Sequence, residues 1–346
     1  MVASAFRRVC ARSFPCLLAA GVLLAVVALM AGCSRNEEPR ALPKSEPVTV
    51  AMPVGLSGAL VILALEKRYF AAEGLDVTLK PTATSTVALD MVDRGQADVG
   101  MSSDTPFVFA VLDGKNVRLL ARAFRSRTFV SIVARKDRGI ARPADLAGKR
   151  IGFVPGTASD YFSGLYLGFQ GISPSQFTRV SLAVDQVESA LLNADVDAVA
   201  IWHPFSSRLI ARLGPQAAVF NDPAIYQMRF NLVARPEFSG SRPEVARKFF
   251  AALQNAQTFV RERPEEAKRL MLNVTGEDPE ISGKVWEDCD YSVTLDQSLL
   301  GGLEAEARWA LSRRAAARAT LPNFLQFIDA QPLRSVRPDA VSILLP

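Results

Sequence analysis

Small polar residues and glycines stand at three places where a β-branched run gives way to a helical pattern, and an aromatic pair stands at a fourth. These residues are Ser57, Gly58, Ser102, Ser103, Gly156, Thr157, Trp202 and His203. The first turn of a helix leaves about four backbone N–H groups unpaired, and together with the helix dipole they favour an anion or a polar oxygen. We therefore predict that these residues bind a small molecule, with Gly156 and Thr157 as the leading anion contacts.

Each of these residues also has a structural alternative. The hydroxyl residues, Thr157 among them, can cap a helix instead of contacting a ligand, and one residue can do both. Trp202 can cover an apolar part of a ligand and donate from its indole N–H, or it can pack in the core. His203, the one histidine of the sequence, can donate to a ligand or be structural. Asp104 would repel an anion, so it either caps a helix or contacts an amine.

Residues for catalysis or for metal binding are not evident in the sequence. We find no nucleophile elbow, no Walker loop and no dinucleotide fingerprint. One histidine, with Cys289 as the one cysteine of the predicted folded body, does not supply the ligands of a zinc site. Paired carboxylates such as Glu265 and Glu266 lie in a helical pattern and are interpreted as solvated. We predict no catalytic residue, no metal and no cofactor.

Strands that alternate with helices must position the candidate residues. The predicted strands are 48–52, 75–79, 97–101, 129–134, 151–154, 179–182, 198–202 and 230–234. This spacing is typical of βαβ units with a mostly parallel sheet, in which ligands bind beyond the carboxyl ends of the strands. From Arg242 onward the pattern is helical almost to the end of the chain.

Length and composition place the chain among globular proteins of two domains. It has 346 residues, of which 49% are hydrophobic and 22% charged, so extensive disorder is excluded. The net charge of +5 falls to about +2 without residues 1–32, which hold three arginines and no acid (+5 − 3 = +2). We see no dense basic stripe with interleaved aromatic residues and predict no nucleic-acid binding.

The N-terminus has the features of an export signal. Three arginines precede an apolar run that ends in LMAGC at 29–33, which resembles the bacterial lipobox. We predict a lipoprotein signal peptide over 1–32, lipidation of Cys33 and a polar tether over 33–47. An uncleaved signal anchor is the alternative, because about 18 apolar residues can span a bilayer.

Five segments in a fixed order carry a resemblance to a known family. They are GLSGALVILALEKRYFAAEGLDVTL (55–79), GQADVGMSSDTPFVFA (95–110), DLAGKRIGFVPGTASDYF (145–162), VESALLNADVDAVAIWHPF (187–205) and LPNFLQFIDAQPLRSVRPDAV (321–341). The set resembles the nitrate/sulfonate/taurine-type solute-binding proteins of ABC importers over about residues 48–341. That resemblance implies the α/β, bilobal periplasmic-binding-protein type II fold, with two α/β lobes around a ligand cleft. Mapped on this chain, lobe one is 48–126 plus 238–346 and lobe two is 127–237.

The resemblance also implies a function and a location. The protein would capture a small anionic or zwitterionic nitrogen or sulfur compound, such as a sulfonate or nitrate, and deliver it to an ABC permease with its ATPase. A thiamine-pyrimidine precursor is an alternative ligand in the same superfamily. We expect a lipid-anchored monomer on the periplasmic side of a bacterial membrane. A ligand sensor for a membrane receptor and an enzyme on this fold remain alternatives.

Overall fold

The computed structural model describes residues 45–313 and 320–344. The predicted signal peptide, Cys33 and the tether up to residue 44 lie outside the described residues. The first strand begins at Glu46, slightly before the predicted end of the tether at residue 47. Among the described residues, none of the helices combines the length and the apolar character needed to cross a bilayer.

Eleven strands form the framework of the described chain. They are β1 (Glu46–Met52), β2 (Leu75–Pro81), β3 (Val99–Ser103), β4 (Arg118–Ser126), β5 (Val130–Arg135), β6 (Arg150–Phe153), β7 (Thr178–Ser181), β8 (Ala198–Trp202), β9 (Ala217–Phe220), β10 (Met228–Ala234) and β11 (Cys289–Asp290). All the strands predicted from the sequence are present, and β4, β9 and β11 are additional.

Helices cover the sheets. They are α1 (Ala59–Glu66), α2 (Tyr69–Ala72), α3 (Ser85–Asp93), α4 (Asp104–Leu112), α5 (Ala158–Phe169), α6 (Val187–Leu192), α7 (Phe205–Leu213), α8 (Pro236–Ser241), α9 (Pro243–Glu262), α10 (Pro264–Thr275), α11 (Pro279–Glu287), α12 (Ser298–Ser312) and α13 (Gln331–Arg334). The helix predicted over 59–70 is divided into α1 and α2, because Arg68 adopts a left-handed conformation with φ 58°.

The strands assemble into two sheets. The larger sheet has the order β11-β4-β10-β3-β1-β2, and the smaller has the order β7-β6-β8-β5-β9. We call the part of the chain around the larger sheet lobe one and the part around the smaller sheet lobe two. β1 runs parallel to β2 and β3, and β6 runs parallel to β7 and β8. The remaining pairings are antiparallel, so the prediction of a mostly parallel sheet was wrong.

The antiparallel pairings arise where the chain crosses between the sheets. It leaves the larger sheet after β4 and returns to it with β10, which lies between β3 and β4. Leu232 in β10 is opposite Met101 in β3. Residues 228–234 therefore pair within lobe one, whereas the boundary at 237 had assigned them to lobe two. Apart from this strand, the lobe ranges stay a prediction.

The core of lobe one explains why α1 is apolar up to its last residue, Glu66. Ala59 to Ala64 are buried on every side of this helix, because it lies beneath the long helix α9. The opposite pattern holds in α9, where apolar residues such as Phe249 repeat on one face and charged residues occupy the other. Phe249 is fully buried and stacks on Phe70 with ring centroids 5.0 Å apart. This packing holds the helical C-terminal part of the chain on the larger sheet.

Candidate functional site

A cavity of about 290 Å³ lies between the two lobes. Its lining from lobe one comes from the turn after β1, the turn after β2, the end of β3 and strand β10. Its lining from lobe two comes from the start of α5, the end of β8 and the start of α7. The lining residues are Pro53, Val54, Gly55, Leu56, Ser57, Thr82, Ala83, Thr84, Ser85, Ser103, Phe129, Thr157, Ala158, Trp202, His203, Pro204, Phe205, Arg208, Met228 and Phe230. Carboxyl ends of strands from both sheets thus meet at one cavity, the usual place for a ligand in open α/β sheets.

The structure brings five of the predicted residues together at this cavity. They are Ser57, Ser103, Thr157, Trp202 and His203. They are up to 146 positions apart in the sequence (203 − 57 = 146), and both lobes contribute to the group. Ligand contact by these residues stays a prediction, but their convergence is what the proposed site requires.

Three predicted residues do not line the cavity. A Cβ at Gly58 would lie 1.8 Å from Met52 Cε, so a larger residue there would displace the end of the Met52 side chain. Ser102 is fully buried, and its Oγ donates to the carbonyl of Ser103 at 2.8 Å. Gly156 has φ 68° and its N–H donates to Asp160 Oδ2 at 3.1 Å. At these three positions, the small residues that suggested a ligand contact are explained by the shape of the turns beside the cavity.

Helix capping, the structural alternative for the hydroxyl residues, is found at Thr157 but not at Ser57 or Ser103. Thr157 Oγ1 accepts from the Ser159 N–H at 3.3 Å and donates to the Val154 carbonyl at 2.7 Å, so this side chain is a cap. Ser103 precedes α4 without a side-chain cap, and Ser57 does not cap α1, which begins after Gly58. Ser57 and Ser103 are thus available for a polar group in the cavity.

The turn after β2 is a part of the site that the sequence analysis missed. Thr82, Thr84 and Ser85 line the cavity, and Thr84 Oγ1 caps α3 by accepting from the Val87 N–H at 3.4 Å. Ser85 Oγ accepts from the Ser103 N–H at 3.5 Å and links this turn to the end of β3. The signal was present, because hydroxyl residues follow a predicted strand and precede a helix here as they do at the other turns.

Positive charge at the cavity is limited and already paired. Of the described lining residues, Arg208 alone carries a fixed positive charge. Its Nε donates to Glu188 Oε1 at 2.6 Å, and its guanidinium lies 4.7 Å from the ring centroid of Phe205. An anionic ligand group would therefore meet mainly helix N-termini and hydroxyls, rather than an unpaired cation.

Asp104 faces away from the cavity and does not oppose an anion there. Its side chain is buried, and its carboxylate accepts from Arg229 Nη1 at 3.1 Å and from Asn231 Nδ2 at 2.7 Å. Burial raises the pKa of Asp104, although Arg229 and Asn231 partly oppose the shift. The alternative of an Asp104 contact with a ligand amine is not supported, because Asp104 does not line the cavity.

His203 lines the cavity with a ring whose nitrogens are both engaged. Nδ1 lies 2.8 Å from Ser207 Oγ, and Nε2 lies 2.5 Å from Glu277 Oε2. Burial opposes ionisation of Glu277, but the hydrogen bonds from His203 and Ser282 lower its pKa overall. The carboxylate therefore accepts from Nε2–H. Neither nitrogen is free to donate to a ligand in this arrangement.

Aromatic side chains make the apolar walls of the cavity. Trp202 is partly exposed and meets Phe205 edge-on, with ring centroids 6.1 Å apart. Phe129 is buried and meets His203 edge-on at 5.5 Å. Met228 and Phe230 of β10 complete these walls. Such a lining suits a ligand with an apolar or planar part beside a polar group.

A larger groove of about 810 Å³ lies between α5 and α12. It is lined mostly by apolar and small residues, with Phe169 and Trp309 among them, and the strand ends that line the smaller cavity do not contribute to it. Cys289 does not line the cavity, and burial raises the pKa of its thiol to about 12. Among residues 45–313 and 320–344, no group of three or more His, Cys, Asp or Glu side chains is placed to hold a metal ion.

Comparison with known proteins adds relatives of similar length. A Bacillus subtilis (strain 168) protein whose name proposes aliphatic sulfonate binding is 25% identical over 277 residues, 78% of this chain and 82% of that protein. The taurine-binding periplasmic protein of Escherichia coli (strain K12) is 25% identical, and the alignment covers 61% of this chain and 65% of that protein. A 4-amino-5-hydroxymethyl-2-methylpyrimidine phosphate synthase of Legionella pneumophila (strain Philadelphia 1) is 20% identical, over 61% of this chain and 67% of its own. The relatives thus include both binding proteins and enzymes.

Solved structures confirm the predicted bilobal fold. The alkanesulfonate-binding protein SsuA from Xanthomonas axonopodis pv. citri, bound to MOPS, superposes with a TM-score of 0.71 at 18% identity and covers 84% of this chain and 100% of its own. The nitrate-binding protein NrtA from Synechocystis PCC 6803 superposes with a TM-score of 0.66 at 15% identity, and the alignment covers 86% of this chain and 89% of that chain. The family model described as NMT1/THI5 like matches residues 57–267, more than half of the sequence. The chain therefore belongs to the NMT1/THI5-like family.

Proposed function

We propose that this protein is the extracytoplasmic solute-binding subunit of an ABC importer. The observation that carries the proposal is the cavity between two sheet-based lobes, lined by strand ends and helix starts from both. A ligand that binds there better when the lobes are closed will favour the closed form, which then docks on the permease. Binding proteins among the relatives support the same function.

The proposed ligand is a small anionic or zwitterionic nitrogen or sulfur compound, with a sulfonate first among the candidates. Its anionic group would lie near Ser57, Ser103 and the start of α5 at Thr157, where helix N-termini and hydroxyls supply donors. Its apolar part would contact Trp202 and Phe129. Gly58, Ser102 and Gly156 would shape these turns from outside the cavity lining.

A thiamine-pyrimidine precursor is the second candidate ligand. Two observations favour it: a relative named as a 4-amino-5-hydroxymethyl-2-methylpyrimidine phosphate synthase, and the aromatic walls of the cavity, against which a heteroaromatic ring would pack. We propose no catalytic residue for either ligand, since both nitrogens of His203 are engaged by the protein.

Location and partners are part of the proposal. We propose that Cys33 carries the lipid after removal of residues 1–32, and that the monomeric protein is held on the periplasmic side of the membrane. Its partners would be the small-molecule ligand and the permease with its ATPase.

A calorimetric and thermal-shift screen tests the function. Purified protein is mixed with taurine, ethanesulfonate, MOPS, nitrate and 4-amino-5-hydroxymethyl-2-methylpyrimidine, and each mixture is analysed by mass spectrometry. A bound, unchanged sulfonate that raises the melting temperature is the expected result, because ligand at 100 times its Kd stabilises the native state by about 2.7 kcal/mol. A shift with the pyrimidine alone would favour the second ligand. A chemically altered compound would overturn binding without catalysis.

A further inference from the structure

The hydrogen bond between His203 and Glu277 joins the two lobes beside the cavity. His203 follows β8 in lobe two, and Glu277 lies between α10 and α11 in lobe one. Nε2 and Oε2 are 2.5 Å apart, although the residues are 74 positions apart in the sequence. The side chains are 2% and 9% exposed, so the bond is formed away from water.

Each partner is positioned by its own lobe. His203 Nδ1 contacts the hydroxyl of Ser207 in α7, and the Glu277 carboxylate receives a hydrogen bond from Ser282 in α11. Glu277 also lies against the turn after β1, because a Cβ at Gly55 would be 3.8 Å from Oε1. These contacts persist within each lobe when the lobes separate, whereas the bond between His203 and Glu277 cannot.

Glu277 itself does not line the cavity, whereas His203 and Gly55 do. A contact made only when the lobes are together stabilises the closed arrangement selectively. We propose that Glu277 is a positioning residue, which holds the lobes closed around the ligand through His203 without touching the ligand. The inference rests on the proposed function, because it assigns Glu277 a role in ligand retention.

The kinetic consequence follows from the location of the bond. Release of an enclosed ligand requires the lobes to open, so removal of the contact raises the dissociation rate more than it lowers the association rate. The loss is partial, because Tyr161 in α5 also packs edge-on against Trp309 in α12, with ring centroids 5.2 Å apart. That second contact between the lobes does not involve Glu277.

The test compares Glu277→Ala and Glu277→Gln with a matched control, Glu280→Ala, in the full mature protein. Glu280 is an exposed glutamate three positions further along the chain. Spin labels at the exposed positions Val87 in lobe one and Ser189 in lobe two report the distance between the lobes without ligand. Stopped-flow measurements with ethanesulfonate, and with MOPS as a second probe, give the dissociation rate.

Glu277→Ala is expected to shift the ligand-free distance distribution toward longer values and to raise the dissociation rate about tenfold. Glu277→Gln should lie between the wild type and Glu277→Ala, because its amide oxygen can still accept from His203. Glu280→Ala should match the wild type in both measurements.

Two results would overturn the inference. One is that Glu277→Ala has the same dissociation rate and the same distance distribution as the wild type. The other is a loss of unfolding stability in ligand-free Glu277→Ala with no change in dissociation rate, which would make Glu277 merely structural. If the wild type binds neither sulfonate, the proposed ligand class fails separately. The ligand-free distances then decide the inference, and an unchanged distribution overturns it.

Discussion

Single residues at the cavity differ in whether their polar groups remain available. The Thr157 hydroxyl both accepts and donates within its own turn, and His203 uses both nitrogens, so these residues shape the site more than they offer donors. Ser57 and Ser103 make no side-chain cap to the helices that follow them. Residue type alone therefore predicts which positions are near the site, but it does not predict which polar atoms are available to bind a ligand.

Trp202 is the residue whose contribution to binding is simplest to test. We expect Trp202→Ala to weaken binding of ethanesulfonate or of the ligand found in the screen by about tenfold, because the indole face is a large part of the apolar wall. Titration calorimetry measures the change. Trp202→Phe, which keeps an aromatic face, should lose less. Unchanged affinity in Trp202→Ala would place the ligand elsewhere.

Helices α4 and α12 pack through two buried polar side chains, and the sequence around either side chain does not indicate which residue it contacts. Thr105 in α4 donates from Oγ1 to Glu306 Oε2 in α12 at 2.6 Å, and both residues are buried. Burial raises the pKa of Glu306 well above its usual range, with Asp104 adding to the shift. The contact between these helices is thus made by a carboxyl group that favours its neutral form.

Glu306→Gln is expected to make the stability less dependent on pH. A raised pKa in the folded state means that the neutral carboxyl contributes stability below its unfolded pKa of about 4.3, and that this stability is lost as pH rises toward the folded pKa. The variant has no such loss, so its stability relative to wild type should increase from pH 4.5 to pH 8. Urea unfolding at both pH values measures it; a constant difference would contradict the neutral form.

The packing of α9 on the rest of lobe one gives a second prediction about contacts between helices. Phe249→Ala should reduce the free energy of unfolding by about 3–5 kcal/mol, because it leaves a cavity beneath α9 next to Phe70. Phe169→Ala is the control, since that side chain is 66% exposed, and it should change stability by less than about 0.5 kcal/mol. Urea denaturation measures both; a loss below about 1 kcal/mol for Phe249→Ala would argue against this packing.

The whole molecule is organised by two crossings of the chain between sheets. β4 leads out of the larger sheet and β10 returns into it, so a ligand that contacts Phe129 and Met228 lies beside both crossings. Bending at these crossings would separate the cavity walls while each sheet keeps its own strand pairings. The geometry suits capture and release of a small solute.

Attachment to the membrane is a prediction about the whole molecule that rests on Cys33. We expect the wild-type protein to carry a lipid on Cys33 and to lack residues 1–32. Cys33→Ser should carry no lipid and should keep residues 1–32, because the thiol of a lipobox is acylated before the signal peptide is cleaved. Intact-protein mass spectrometry of the membrane fraction measures both features. Cys289→Ser is the control and should match the wild type. A wild-type protein that keeps residues 1–32 and carries no lipid would instead favour an uncleaved signal anchor.

The sequence by itself determined eight of the eleven described strands in their order, the family resemblance and most of the turns at the cavity. These features are local, since hydrophobic period and turn residues are set within a few positions. Tertiary structure alone decided that β10 inserts antiparallel into the larger sheet, that Asp104 turns inward to Arg229, and that Glu277 meets His203. Such contacts join residues far apart in the chain, and they depend on how the packed lobes meet, which no local pattern encodes.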